Sequence, residues 1–299
     1  MHRCTSCGSG YLDPRPTPET LGLAYREYYT HKQKPDFESL DRVSKMRRAL
    51  ANGYRHWRFG TADAPGSRLG VLMLVMSPRY RAKVDATMRH LPKPRPGQRL
   101  LDVGCGNGTF LVRARSAGWT VVGVDLDSNA VTVGRQQGLD VRLGSVDTLD
   151  PAIEHFDVIT LSHVIEHAHE PTGMLRACRS LLRRGGSIWI DTPNIDADGH
   201  RHFGADWLGL DPPRHLVLFS LGSLQRALSI SGFAEMDVQP YRPLCATLFR
   251  ASTAIAQGIG PYSKEGLKMP LPPDVEKSER IAKRTPARRE YITVKARTE

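Results

Sequence analysis

Two groups of residues in this chain could do chemistry. The first is Leu100-Leu101-Asp102-Val103-Gly104-Cys105-Gly106-Asn107-Gly108, an apolar run that breaks into a glycine-rich turn. Glycine accepts positive φ and lacks the Cβ that would hold a ligand off, so the backbone of such a turn can meet a nucleoside closely. The spacing is GxGxG, and Thr109 stands where a dinucleotide fingerprint needs its third glycine. A carboxylate at Asp102 would repel a pyrophosphate and suits a ligand that bears positive charge. A second run, Val121-Val122-Gly123-Val124-Asp125, ends in another carboxylate about twenty residues beyond the first glycine, where it can accept both hydroxyls of a ribose.

The second group is rich in imidazole. His163, Glu166 and His167 follow the apolar run Phe156–Leu161, while Asp191, Thr192, Pro193 and Asn194 end or follow the run Ser187–Asp191. In open α/β sheets the ligand crevice lies outside the carboxyl ends of the strands, which directs attention to these positions. A histidine, with an ordinary pKa near ~6.5, is the natural base for a hydroxyl or carbon acceptor. His163 and His215 are the candidate bases, and Asn194 is the third candidate catalytic residue. A plainer reading stands beside this one: a strand-end histidine that bonds only to backbone, and Glu166-His167 as the cap of a turn. His163, Glu166, His167 and His215 also form a nitrogen and oxygen donor set that suits a divalent ion. The stretch after Asn194, with His202, Trp207 and Pro212-Pro213-Arg214-His215, is placed to act as a lid over an acceptor.

Positioning these groups requires a regular scaffold, and from residue 97 the chain supplies one. Strand patterns at Arg99–Val103, Thr120–Asp125, Asp140–Leu143, Phe156–Leu161 and Ser187–Asp191 alternate with helical patterns at Gly108–Ala117, Ser128–Gln137 and Pro171–Leu182. That alternation predicts an α/β fold with a parallel sheet covered by helices. Ser220–Ser231 reads as a further helix, and Ala234–Pro240 and Glu290–Ala296 as strands. Before residue 97 the spacing is helical: from Pro18 to about Tyr29, across Leu40, Val43, Met46, Leu50 and Tyr54, and from Pro78 to His90. Pro92-Lys93-Pro94-Arg95-Pro96-Gly97 cannot continue a helix and marks a boundary. The expected organisation is therefore a knuckle at 1–16, a helical cap at 17–96 and a core at 97–299, with a lid insertion at 194–219.

Taken in order, DVGCGNG, VVGVDLD, FDVITLSHVIEH and RRGGSIWIDTPN resemble the class I S-adenosylmethionine (SAM)-dependent methyltransferases, in a bacterial group similar to the ubiquinone-biosynthesis O-methyltransferases. The resemblance runs from Gly97 to the C-terminus. It implies a Rossmann-like, seven-stranded, mostly parallel sheet with helices on both faces and an antiparallel last strand. It also implies that Asp102, Gly104, Cys105, Gly106, Asp125, Leu126 and His163 contact SAM and that the Ser145-Val146 turn flanks the adenine. The order His163-x-x-Glu166-His167 with a distant His215 is similar to the metal site of the small-RNA 3′-terminal 2′-O-methyltransferases, with His163 in place of their first glutamate. Methyl transfer to a hydroxyl of a small molecule is the implied activity. The alternatives are a metal-assisted RNA 2′-O-methyltransferase and a non-catalytic SAM-binding regulatory protein. Cys4-Thr5-Ser6-Cys7-Gly8 followed by Pro14-Arg15-Pro16 resembles the second half of a zinc ribbon; only His2 or His31 could add ligands, so it is read as truncated.

The formal charge of +11 is uneven. Residues 1–98 carry 18 Lys and Arg against 8 Asp and Glu, whereas residues 99–263 carry 14 against 17. This is either a solvated basic surface or an attractor for an anionic acceptor such as a nucleotide-linked sugar, an acidic metabolite, RNA or an anionic lipid. Scattered cysteines and the lack of an apolar leader at Met1–Thr5 lead to an expected cytoplasmic location. The run Leu69–Met76 is too short to span a bilayer, which takes ~20 helical residues. It is expected to be a buried helix that packs the cap onto the core, the alternative being contact with a lipid-like acceptor or a membrane surface.

Overall fold

The computed structural model describes residues 1–25 and 41–298. The predicted end of the first helix at Tyr29, the start of the next near Leu40, and His31 lie outside these residues.

Among the described residues, ten strands form two sheets. They are β1 (His2–Arg3), β2 (Gly10–Tyr11), β3 (Arg99–Val103), β4 (Thr120–Asp125), β5 (Asp140–Leu143), β6 (Phe156–Ser162), β7 (Leu182–Pro193), β8 (Val217–Leu218), β9 (Phe233–Val238) and β10 (Tyr291–Thr298). The large sheet has seven strands in the order β5-β4-β3-β6-β7-β10-β9. The pairs β3–β4 and β4–β5 are parallel, while β10 runs antiparallel to β9, as expected. The central strands are buried through nearly every residue of both faces, which is why they read as continuous apolar runs rather than alternating ones. β7 is longer than its pattern suggested because its first half, Leu182–Gly186, lacks the apolar run that marks the second.

The helices are α1 (Pro18–Leu21), α2 (Arg42–Phe59), α3 (Leu69–Met76), α4 (Pro78–Ala86), α5 (Thr109–Ser116), α6 (Ser128–Gln136), α7 (Pro171–Leu181), α8 (Asp198–Phe203), α9 (Leu221–Ile230), α10 (Cys245–Ala256) and α11 (Val275–Arg284). Asp41 caps α2 by accepting from the Val43 and Ser44 N–H groups, and Gly60 ends it in the left-handed conformation. α4 stops four residues short of the predicted His90, because Arg89 and His90 both take positive φ. None of the described helices is long and apolar enough to cross a membrane.

The chain packs as two compact units. Unit 1 comprises Met1–Glu27, Leu161–Arg179 and Ile188–Glu299; unit 2 comprises Tyr28–Thr160 and Ser180–Ser187. In unit 2, Leu50, Tyr54, Leu74 and Val84 of α2–α4 share one apolar cluster with Leu100, Leu111, Trp119 and Val141. The cap helices thus complete the same core as β3–β5, and the proline-rich stretch before Gly97 is a loop inside that unit rather than a border. The buried-helix expectation for Leu69–Met76 is corrected: α3 forms, but only Gly70 and Leu74 are buried.

In unit 1 the N-terminal knuckle is a hairpin. β1 pairs with β2 and β2 with β8, which ties residues 1–11 to the stretch expected as a lid. That stretch is packed structure: Ile195, Ala197, Trp207, Leu210 and Leu218 form their own buried cluster. Trp207 donates its indole N–H to Glu290 at 2.9 Å, so it is a core residue of unit 1. Cys4 and Cys7 share a tight turn, with Cys7 Sγ 3.0 Å from Ser9 Oγ.

Candidate functional site

In unit 2 the turn after β3 forms as its composition dictates. Gly104 and Gly106 take φ of +64° and +54°, values costly for any residue with a Cβ. The N–H groups of Gly104 and Cys105 both donate to the Val124 carbonyl, which docks the turn on the end of β4. A Cβ on Gly106 would have no protein atom within 4 Å, so the turn opens onto space that protein does not fill.

Asp125 locks this geometry. Its Oδ2 accepts the Gly106 N–H at 2.7 Å and its Oδ1 the Asp127 N–H at 2.9 Å. Burial raises its pKa, against the pull of those two bonds. Leu126 follows it, 77% exposed, while Val146 is buried and Ser145 caps the turn Val146–Thr148. The Cys105 side chain points the other way, into the core, and desolvation pushes its thiol pKa up.

Asp102 is fully buried, and a cation from the chain itself meets it. Arg89 donates to its Oδ1, as does Thr160 Oγ1 at 3.0 Å, and Arg89 also lies 3.7 Å over the Phe110 ring. Burial raises the Asp102 pKa, with Arg89 opposing. Its Oδ2 is buried with no hydrogen-bond partner. Sequence reading missed Arg89; the one local sign is an arginine between Met88 and Leu91, both buried.

Unit 1 carries the imidazole group. His163, at φ +56°, sets its two ring nitrogens against two buried carboxylates, Nδ1 at 3.2 Å from Glu166 Oε1 and Nε2 at 3.5 Å from Asp191 Oδ2. Burial works against its charge, but the bonds to Asp191 and Glu166 outweigh this and hold its pKa up at about 9. This pairing favours the charged imidazole, and both ring nitrogens are engaged, whereas the base and ligand roles expected of His163 call for a free lone pair. Burial would raise Glu166, yet the bond and charge of His163 bring it down to about 2; Thr192 Oγ1 donates to its other oxygen at 3.0 Å. Asp191 also accepts from Arg242 at 2.7 Å and from Thr293 Oγ1 at 2.6 Å, which sequence reading did not connect. Tyr291 packs edge-on to His163 at 4.7 Å.

His215 differs from His163. It is buried, and desolvation lowers its pKa, so it is neutral at pH 7. Its Nδ1–H donates to the Gly209 carbonyl at 2.8 Å, which leaves the lone pair on Nε2. His167 likewise donates Nδ1–H to the Arg214 carbonyl at 2.9 Å, and the two rings lie 4.8 Å apart. One ligand atom from each of Glu166, His167 and His215 lies within 4.8 Å of the others, a set that could hold a metal ion. Asn194, the third catalytic candidate, is bonded on all sides. It is fully buried, its amide donates to the Ala287 and Arg289 carbonyls, and its oxygen accepts the Asp196 N–H, so its bonding capacity is spent on structure.

A family model described as a methyltransferase domain matches residues 76–237. The ubiquinone biosynthesis O-methyltransferase of Xanthomonas oryzae pv. oryzae is 35% identical over 155 residues, covering 49% of this chain and 58% of that protein. The protein of that name from Xanthomonas axonopodis pv. citri is 33% identical over 176 residues, 55% of this chain and 65% of its own. The chain thus spans less than two thirds of the length of these curated relatives. A SAM-dependent methyltransferase from Thermotoga maritima shares the fold, at 15% identity and a TM-score of 0.50 over 78% of this chain and 96% of that one. With the family match spanning more than half of the chain and the seven-stranded sheet in place, the chain belongs to the methyltransferase-domain family and has the class I SAM-dependent methyltransferase fold.

Proposed function

We propose that this protein transfers the methyl group of SAM to a hydroxyl oxygen of a small-molecule acceptor. The observation that carries this reading is His215, a buried neutral imidazole with its lone pair on Nε2, in a family whose curated relatives are named O-methyltransferases. The residues fit the methyl donor on two counts. The Gly104–Gly106 turn opens onto unfilled space, and Asp102 Oδ2 is a buried acceptor to which a cationic amino group can donate. Asp125 accepts the ribose hydroxyls, Leu126 and the Ser145-Val146 turn flank the adenine, and Asp102 serves the methionine end with its charge shared by Arg89. SAM, when bound, would supply an electrophilic methyl carbon on a sulfonium, so that an acceptor oxygen forms the new O–C bond as the S–C bond breaks and S-adenosylhomocysteine leaves. His215 Nε2 takes the hydroxyl proton as that oxygen attacks. His163 spends both ring nitrogens on Glu166 and Asp191 and serves to position those carboxylates. Arg242, paired with Asp191, and Tyr291 border a small cleft beside this network.

A second reading adds a divalent ion, favoured by the clustering of Glu166, His167 and His215. These three residues would hold it, and it would lower the pKa of an acceptor hydroxyl. Calorimetric titration of chelator-treated protein with SAM, S-adenosylhomocysteine and NADH, with and without added divalent metal, tests the donor. Binding of both adenosyl ligands and silence toward NADH are expected. Methyl transfer to a panel of hydroxylated small molecules then tests the acceptor. Transfer only to amines, or tight NADH binding, would remove the proposal, and transfer unchanged by chelation would remove the second reading.

A further inference from the structure

We propose that α3 docks on an anionic lipid surface. Its sequence, Leu-Gly-Val-Leu-Met-Leu-Val-Met, has no polar residue, and a helix apolar all round belongs in a core or in lipid. Here the core takes only one narrow stripe. A side chain at Gly70 would collide with the Leu50 carbonyl and one at Gly53 with the Ser67 carbonyl, so α2 and α3 meet backbone to backbone. The Ser67 N–H donates to the Ala49 carbonyl at 2.9 Å and fixes the start of α3 there. Gly70 and Leu74, spaced i and i+4, face inward. That leaves Leu69, Leu72, Met73, Val75 and Met76 between 43% and 76% exposed. Tyr80, just beyond α3, donates to the Arg47 carbonyl at 3.3 Å, which brings the end of α3 beside the start of α2. Val43 and Met46 are exposed there too and extend the apolar surface. Single exposed apolar residues need no explanation, but a contiguous face of this kind marks an interaction site.

The charges around it identify the partner. Residues 41–90 hold eleven Lys and Arg and three Asp and Glu, with no acid between Asp63 and Asp85. Arg42, Arg47, Arg48, Arg68, Arg79 and Lys83 are exposed. An apolar stripe between cations matches the boundary of an anionic bilayer, with acyl chains meeting the helix and headgroups meeting the arginines. A second copy fits less well, because a two-fold contact would set these cations against one another. At about 12 Å long, the helix would lie in the surface, not across the bilayer.

The test is sedimentation of the full chain with phosphatidylcholine vesicles containing about one quarter phosphatidylglycerol, against pure phosphatidylcholine. Binding to the anionic vesicles that weakens in high salt is expected. The triple variant Leu72→Gln, Met73→Gln, Met76→Gln should lower partitioning at least about tenfold. It should keep its circular dichroism, since the three side chains are already exposed. The double variant Arg68→Glu, Arg79→Glu should remove the preference for anionic lipid. Three outcomes would overturn the proposal: no binding to anionic vesicles at low salt, binding that survives the triple substitution, or a concentration-dependent dimer in sedimentation velocity that the triple variant dissolves.

Discussion

The carboxylate of Asp125 accepts the backbone N–H of Gly106 at 2.7 Å, so the residue that ends β4 fixes the turn that leaves β3. Shape and charge at the head of unit 2 therefore depend on one side chain. Asp125→Ala should weaken SAM binding by about 1–3 kcal/mol, through loss of charge-assisted bonds to ribose and loosening of the turn. Calorimetry measures this directly, and unchanged affinity would show that the ribose is held elsewhere.

Arg89 is the counter-charge of Asp102, and both are buried. Arg89→Ala should destabilise the protein by about 3–5 kcal/mol, because it leaves an uncompensated buried carboxylate. The double variant Arg89→Met, Asp102→Asn should recover much of that loss. Chemical denaturation reads both effects, and equal stability of the wild type and Arg89→Ala would contradict the pairing.

Glu290 gives the stability a pH dependence. Burial lifts its pKa from 4.5 to about 7, against the bonds it accepts from Gly199 and Trp207. Between those values the folded protein keeps a proton that the unfolded chain has released. Its contribution is thus fully present below pH 4.5 and is lost as pH rises through about 7, up to ~3 kcal/mol in all. In Glu290→Gln this part of the slope should vanish, as seen in thermal melts from pH 5 to 8.

His215→Ala should lower turnover by roughly 10²–10⁴-fold if the imidazole is the base, with SAM affinity unchanged. Because desolvation lowers the His215 pKa, the acid limb of the wild-type rate profile should fall below pH 6.5. Loss of SAM binding in His215→Ala would remove the base assignment.

Asn194→Ala should lower the melting temperature, with any activity loss tracking the unfolded fraction. The amide ties β7 to the Ala287 and Arg289 carbonyls ahead of β10, and its loss strands two buried acceptors, at a cost of about 1–3 kcal/mol each. A variant of full stability and no activity would show Asn194 to be catalytic.

What this sequence determined by itself was local. The glycine turn, Asp125 at a strand end and the alternation of strands and helices follow from φ preferences and hydrophobic period within a few residues, and β3, β4 and β5 stand where the pattern put them. The strand number and the antiparallel last strand followed from the family resemblance, and the sheet order came from the structure. What only the tertiary structure decided was the use of each polar group, since that depends on partners far along the chain. Asp191 meets Arg242 and Thr293, 51 and 102 positions away, and is fixed by them where it faces His163. Asn194 and Trp207 donate to segments more than 80 positions away and are buried by that packing. The same limit governs α3: its composition shows that it seeks an apolar partner, but backbone contact at Gly53 and Gly70 decides that most of that face turns outward.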